Sequence, residues 1–299
     1  MKKYAYILSQ RYSGSTLLTF LLSTHPEIST IGERRKFYNK VIRAEDFQHH
    51  KAKHCSCGEL FIDCEYLNSI KTDVMASISE RSLKHNATEF KLFDNKYLNK
   101  IAYETHKSLE KYRISPMHKR VKAQQEVNIA IVQSILSRHQ SSVFLDSSKV
   151  INHAFYLSQI PNFDFHAIWL VRDPRAQINS AMKYNTWTLE RATKLWKKEM
   201  KTNARVLKAF GIKYQQIRYT DLCAQPELII GNIMDFIGLS KDGFSLQFRD
   251  QEHHIMGNHM RLEREQKIVE RKEWKKRLSS KDLAYINKET KDFSSFYSD

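Results

Sequence analysis

The sequence predicts an α/β fold, a P-loop-like parallel sheet flanked by helices, with a mostly helical insertion. Two observations predict it. Short apolar segments rich in strand formers recur at Tyr4 to Leu8, Ser142 to Leu145, Phe165 to Val171 and Lys213 to Ile217, with helical stretches between them. The first of these runs through a small polar loop, Ser9-Gln10-Arg11-Tyr12-Ser13-Gly14, directly into another apolar run. Strand, glycine loop and buried helix make the first half of a βαβ unit.

Along the chain, Ser15 to Ser23 reads as a helix that starts in small polar residues, carries Leu17, Leu18, Leu21 and Leu22, and is ended by His25-Pro26. Residues 33–140 hold little that looks like strand; Glu65 to Arg81 and Gln124 to Leu136 suggest helices, and Lys91 to Arg120 has no single period. We therefore expect one domain over residues 1–299 with a helical insertion over 36–141. Beyond it, helices are expected at Ile151 to Ser158, Gln177 to Tyr184, Leu189 to Phe210 and Pro226 to Ile237. Pro226 suits a first helical turn and Gly238 a C-terminal cap.

Composition narrows the function less. The 299 residues carry 49 Lys and Arg against 33 Asp and Glu, a formal charge of +16. That field attracts anions, and nucleic acid, an anionic membrane face or an anionic nucleotide would each satisfy it. No apolar run approaches the roughly 18 residues that span a bilayer, so stable membrane insertion is not expected. Met1-Lys2-Lys3-Tyr4 mimics a signal peptide, but the polar loop interrupts the apolar core too early. With four cysteines, Cys55, Cys57, Cys64 and Cys223, a reducing, cytoplasmic setting is the simpler expectation.

The opening loop suits a phosphate. Backbone N–H groups in a glycine turn and at a helix N-terminus can surround one, Gly14 permits close approach, and Ser13, Ser15 and Thr16 add hydroxyls beside Arg11 and Tyr12. An ordinary polar turn capping a buried helix is the alternative. The lysine that reaches the outer phosphates of a nucleoside triphosphate is missing, since Gly14 is followed by Ser15-Thr16. Asp146 and Asp173 are the available acidic partners for a magnesium ion. A second anion site is suggested by Leu170-Val171-Arg172-Asp173-Pro174-Arg175, where a strand delivers Arg172 to its C-terminal end and Ser180 comes about two helical turns later. An ion pair of Arg172 with Asp173 or Asp221 is the structural alternative.

On these two stretches the chain resembles the sulfotransferases that use 3'-phosphoadenylyl sulfate. The resemblance implies that Arg11, Tyr12, Ser13, Gly14, Ser15 and Thr16 bind the 5'-phosphosulfate end and that Arg172 and Ser180 bind the 3'-phosphate. Two separated sites fit a nucleotide phosphorylated at both ribose ends, which explains the missing lysine. Gly32-Glu33, Val143 to Lys149, Tyr219-Thr220-Asp221-Leu222, Pro226-Glu227, His253 to Arg261, and Trp274 with Leu278 extend the likeness from about Lys3 to Leu278. It further implies donor contacts by Tyr219, Gly257, Asn258 and Arg261, catalysis by Glu33 as base with Arg11 and Lys149, and an acceptor pocket in the 36–141 cap. The expected activity is transfer of a sulfuryl group to a hydroxyl or amine of a small-molecule or carbohydrate acceptor, with the bisphosphate PAP as product and no metal required. Nucleic acid is not an expected partner, and either the cap or the charged C-terminal helix could form a homodimer interface.

Two other classes compete. A P-loop-like small-molecule kinase predicts ATP binding and magnesium dependence; a non-enzymatic nucleic-acid binder rests on the +16 charge alone, without a repeated aromatic-basic platform. Cys55-Ser56-Cys57-Gly58 and Cys64, preceded by His49, His50 and His54, contain the ligand types of a zinc site, yet C-x-C is tighter than the usual C-x2–4-C pair. Buried thiols or a local disulfide are the expectation there. His166, inside a strand, is expected to be packed rather than reactive.

Overall fold

A computed structural model describes residues 1–42, 54–80, 82, 116–251, 253–263 and 267–297. Five parallel strands form one sheet in the order β2-β3-β1-β4-β5, with β1 at Lys2–Ser9, β2 at Ile28–Thr30, β3 at Val143–Lys149, β4 at Phe163–Val171 and β5 at Tyr214–Arg218. Because β1 is central and its neighbours are β3 and β4, the chain reverses its winding direction beside β1. A crevice opens at such a point outside the carboxyl ends of the strands.

Side-chain alternation assigns the two faces. Tyr4, Tyr6 and Leu8 of β1, Phe144 of β3, and Phe165, Ala167 and Trp169 of β4 enter one core. Ala5 and Ile7, Val143 and Leu145, and Ile168 and Leu170 enter the other. The second core is closed by α1 (Ser15–Leu22), buried along its whole length, and by the helix Pro226–Ile237, with Pro in its first turn and Gly238 at φ 68° after its end. The first core takes the helices Glu65–Ser77, Pro116–His139, Ile151–Ser158 and Leu189–Ala209.

The described part of 36–141 is mostly helical, as expected, apart from turns and an isolated bridge over 54–64. It is also integral to the domain, because Leu67, Ile70 and Val74 pack with Val127, Ile131 and Ile135 in the first core. The helix expected over Glu65 to Arg81 ends at Ser77, and the one expected over Gln124 to Leu136 is the centre of Pro116–His139. Residues 43–53 and 83–115, with His49, His50 and most of the aperiodic Lys91 to Arg120 stretch, lie outside the described residues.

A buried ion pair ties the sheet to the short helical segment after β2. Arg34 and Asp146 are both fully buried, with Nε 3.1 Å from Oδ2. Asp146 also accepts from Tyr4 Oη at 2.8 Å, Ser148 N at 2.9 Å and Ser148 Oγ at 2.5 Å, while Arg34 Nη1 donates to Asn128 Oδ1. Nearly every lone pair of this carboxylate is used, which is the condition under which a charge pair survives burial.

Candidate active site

The loop between β1 and α1 folds as a cradle. Tyr12 and Gly14 both have positive φ, 62° and 92°. Gly14 is the N-cap of α1, whose first turn has no acidic residue and no side-chain cap. The first amides of that helix therefore point outward unneutralised by any side chain, the arrangement that binds anions. Three buried polar side chains nearby, Ser9, Gln10 and Ser13, have no hydrogen-bond partner at Oγ, Nε2 and Oε1, and Oγ respectively. Such groups are costly to bury unsatisfied.

Arg172, at the end of β4, reaches this loop. Its Nη1 donates to the Tyr12 carbonyl at 2.9 Å and Nη2 to the Arg271 carbonyl at 3.3 Å, whereas buried Nε has no partner. Its guanidinium lies 4.7 Å from the Tyr219 ring centroid. The same ring crowds Gly14, since a Cβ there would fall 2.1 Å from Tyr219 Cε2. Gly14, Tyr219 and Arg172 thus join three stretches of the chain, those that follow β1, β5 and β4. Burial pushes the Tyr219 hydroxyl well above its usual range, with Cys223 adding to it. Ser180, partly exposed on the helix Pro174–Asn185, donates to the Ala176 carbonyl at 2.9 Å.

A charged cluster occupies the neighbouring strand ends. Glu33 Oε1 is 2.6 Å from Lys149 Nζ and Oε2 is 2.9 Å from Lys36 Nζ. Burial works against its ionisation, but the two ammonium groups prevail and hold the carboxyl down to about 2. Lys149 has φ 73° at the irregularity where β3 leaves β1, facing Leu8 just before the cradle. Strain of this kind in a non-glycine residue persists where surrounding structure enforces it.

The chain's last third covers this cluster. Met256 N donates to the Ile31 carbonyl and Glu33 N to the Met256 carbonyl, each at 2.8 Å. Gly32, at φ 73°, has the Met256 carbonyl only 2.1 Å from where a Cβ would be. Gly257 then lies against Thr16, with its hypothetical Cβ 3.4 Å from Thr16 Oγ1, and accepts from Lys36 Nζ at 3.2 Å. Asn258 Oδ1 accepts from Met260 N at 3.0 Å. Arg261 is buried and donates to the carbonyls of His54, Gly257 and Asn258 at 2.8, 2.9 and 2.7 Å.

The structure therefore brings together the 11–16 loop, Arg172, Tyr219, Glu33, Lys149, Gly257, Asn258 and Arg261 around the carboxyl end of the sheet. Arg11 is the outlier. Its side chain is exposed and its guanidinium lies 6.0 Å from the Trp187 ring centroid, while its carbonyl accepts from Gln177 Nε2 at 3.0 Å. Ser9, Gln10 and Lys36 are additional site residues. The first two sit at the start of the cradle loop; Lys36 is recognisable only once Glu33 and Gly257 are seen on either side of it. His166 packs edge-on against Phe236, as expected of a structural histidine.

Neither acidic residue considered as a magnesium partner is open. Asp146 is engaged by Arg34, and Asp173 caps its helix while accepting Arg175 Nη2 at 2.6 Å. Among the described residues, then, the site offers amides, hydroxyls, lysines and arginine to phosphate and sulfate oxygens, and no free carboxylate cage for a divalent ion.

Cradle, separated arginine and winding reversal define an α/β enzyme that handles a phosphorylated nucleotide without a triphosphate lysine. The sequence model of the sulfotransferase family matches residues 5–243, most of the chain, and the chain belongs to that family. It is an enzyme that transfers a sulfuryl group from 3'-phosphoadenylyl sulfate to an acceptor. Among solved structures, the sulfotransferase domain from the curacin biosynthetic pathway is similar at 15% identity, over 97% of this chain and 98% of that one, with a TM-score of 0.53. Sulfotransferase STF9 from Mycobacterium avium matches at 10% identity over 99% of this chain and 77% of that one, TM-score 0.49. The first of these likenesses shows a shared fold. No curated protein matches the chain. No helix among the described residues is long and apolar enough to cross a membrane.

Proposed function

We propose that the cradle holds the 5'-phosphosulfate and that Arg172 with Ser180 holds the 3'-phosphate, placing the sulfate toward Glu33, Lys149 and Lys36. The observation that carries this reading is the set of unpartnered buried donors, Ser9 Oγ, Gln10 Nε2, Ser13 Oγ and Arg172 Nε, on both sides of the Gly14–Tyr219 contact. When bound, 3'-phosphoadenylyl sulfate supplies the sulfuryl group, whose S–O bond to the 5'-phosphate breaks while the acceptor's oxygen or nitrogen bonds to sulfur, the electron pair leaving with the bisphosphate.

The remaining chemistry belongs to the chain. The first-turn amides of α1 and the hydroxyls of Ser13, Ser15 and Thr16 stabilise charge accumulating on the phosphate oxygens. Lys149 turns from Glu33 to the sulfonate. Released from one of its two ammonium partners, the Glu33 carboxylate regains basicity and takes the acceptor's proton. Lys36 keeps Glu33 oriented and anchors the covering loop through Gly257. Arg261 contributes by fixing the carbonyls of Gly257 and Asn258 over the donor. Arg11 closes the mouth of the cradle from the solvent side. The excess positive charge favours an acceptor that is itself anionic, a small metabolite or a glycan, presenting a hydroxyl or amine. An acceptor pocket contributed by residues 36–141 and a cytoplasmic setting complete the reading.

Calorimetric titration with 3'-phosphoadenosine 5'-phosphate tests it, with 5'-AMP and ATP as controls. The bisphosphate should bind at least about 10-fold tighter than 5'-AMP, and Arg172→Ala should erase that difference, because a charge-assisted hydrogen bond contributes about 1.5–3 kcal/mol. Equal affinity for the two nucleotides, or magnesium-dependent ATP binding without the bisphosphate, overturns the assignment.

A further inference from the structure

Away from the transfer site, four potential ligands meet from three places in the chain: Cys55, Cys57, Cys64 and His254. Their Sγ and Nδ1 atoms all lie within 4.8 Å of one another. Cys57 Sγ is 3.9 Å from Cys64 Sγ, and His254 Nδ1 is 3.4 Å from Cys64 Sγ and 3.9 Å from Cys55 Sγ. Around a tetrahedral zinc with Zn–S of about 2.3 Å and Zn–N of about 2.05 Å, ligand atoms are separated by about 3.8 Å for S···S and about 3.6 Å for S···N. The S···N spacings of 3.4 and 3.9 Å bracket the second value, and the S···S spacing of 3.9 Å lies close to the first.

We infer that Cys55, Cys57, Cys64 and His254 form a structural zinc site. The supporting geometry is extensive. Residues 54–60 make a tight knuckle, with Cys55 N donating to the Glu59 carbonyl at 2.7 Å and Gly58 N to the Cys55 carbonyl at 3.0 Å. Cys64 is the N-cap of the helix Glu65–Ser77, a position that favours a thiolate.

His254 is held just as firmly. Tyr66 stacks on its ring at 4.5 Å and 18°, and Ser56 Oγ bridges the flanking backbone, donating to the His253 carbonyl and accepting from Ile255 N at 2.7 Å. Tyr66 thus orients the imidazole from one face, and Ser56 fixes the backbone on either side of it. Three thiols would lose their protons to solvent on binding, and three thiolates with one imidazole leave no open coordination position. The metal would act as a fastener rather than a reactant. What it fastens is specific: the 54–64 segment to the covering loop, two residues before Met256. In the sequence the tight C-x-C spacing argues against zinc, and His254, 190 residues beyond Cys64, joins the three cysteines only through the fold.

Metal content decides the matter independently of sulfuryl transfer. Protein purified without added metal or chelator should contain about one zinc per chain by inductively coupled plasma mass spectrometry, as a closed four-ligand site requires. Cys64→Ser and His254→Ala should each lose it, whereas Cys223→Ser should keep it. Cobalt exchanged into the wild-type protein should give the intense visible bands and thiolate charge-transfer absorption of a tetrahedral sulfur-ligated ion, a readout that survives if the variants fail to fold. Folded wild-type protein that is zinc-free, takes up no added zinc and shows no cobalt spectrum would refute the site. So would a Cys57–Cys64 disulfide found by mass spectrometry in freshly purified protein.

Discussion

Gly14 and Tyr219 should be energetically inseparable. A methyl group at Gly14 would arrive 2.1 Å from Tyr219 Cε2 and 2.5 Å from Cδ2, at a backbone φ of 92°. The conformation alone costs an alanine about 1–2 kcal/mol. Ordinary carbon contact begins near 3.4 Å, so the ring must also retreat by more than an ångström from a buried position, and overpacking of that kind costs about 1–3 kcal/mol more. Gly14→Ala should therefore destabilise the protein by about 2–5 kcal/mol. In a Tyr219→Ala background the collision is gone and only the conformational cost of about 1–2 kcal/mol remains. Urea unfolding of the four proteins measures the difference, expected as a coupling of about 1–3 kcal/mol. Bisphosphate titration of Gly14→Ala should also show weaker binding, since the displaced ring no longer supports Arg172. Equal penalties for Gly14→Ala in both backgrounds would refute the reasoning.

The charged groups give further outcomes. Glu33→Gln should lower kcat at saturating donor while leaving bisphosphate affinity nearly unchanged; unaltered turnover would remove Glu33 as base. The Glu33 carboxyl sits at about 2 against an ordinary 4.5, so its pairing stabilises the fold fully above the unfolded value and is lost as pH falls toward 2. The stability gap between wild type and Glu33→Gln should accordingly be flat from about pH 5 to 8 and shrink below about 4.5 in urea titrations across pH. The shift bounds that gap at about 3 kcal/mol, and burial, which holds the Lys36 ammonium below its usual range, reduces it. Asp146→Asn leaves the Arg34 guanidinium buried beside a neutral partner and should cost about 3–5 kcal/mol in urea unfolding; a loss below about 1 kcal/mol would show that Asn128 and Tyr4 suffice.

The legible parts of the molecule were the local ones. Strand, cradle and α1 occupy one stretch, and the apolar runs at 142–145 and 165–171 are too rich in β-branched and aromatic residues to hide. β2 escaped because Ile28–Thr30 is only three residues long and pairs on one side alone, too short for any period to register. Gly14 could be read as a close-approach residue, but its neighbour could not, since Tyr219 comes from the far end of β5. The resemblance singles out Glu33; that two lysines clamp it depends on β3 bringing Lys149 beside it, a tertiary fact. The same holds for Arg261, basic and near a glycine-asparagine pair as a donor-closing residue should be, yet bonded to three backbone carbonyls. Cys55, Cys57 and Cys64 were visible as a cluster, whereas His254 joins them only through the fold.

The junction of Gly32 with Met256 also sets an order in time. The cradle is synthesised before Arg172, and the segment that lies on Gly32 and Thr16 leaves the ribosome later than both. Lys36 waits for a carbonyl 221 residues downstream. A nascent chain thus contains the sequence of all five strands before it contains the roof of its nucleotide site. We expect a chain stopped before residue 253 to bind the bisphosphate more weakly than the whole protein in the same titration.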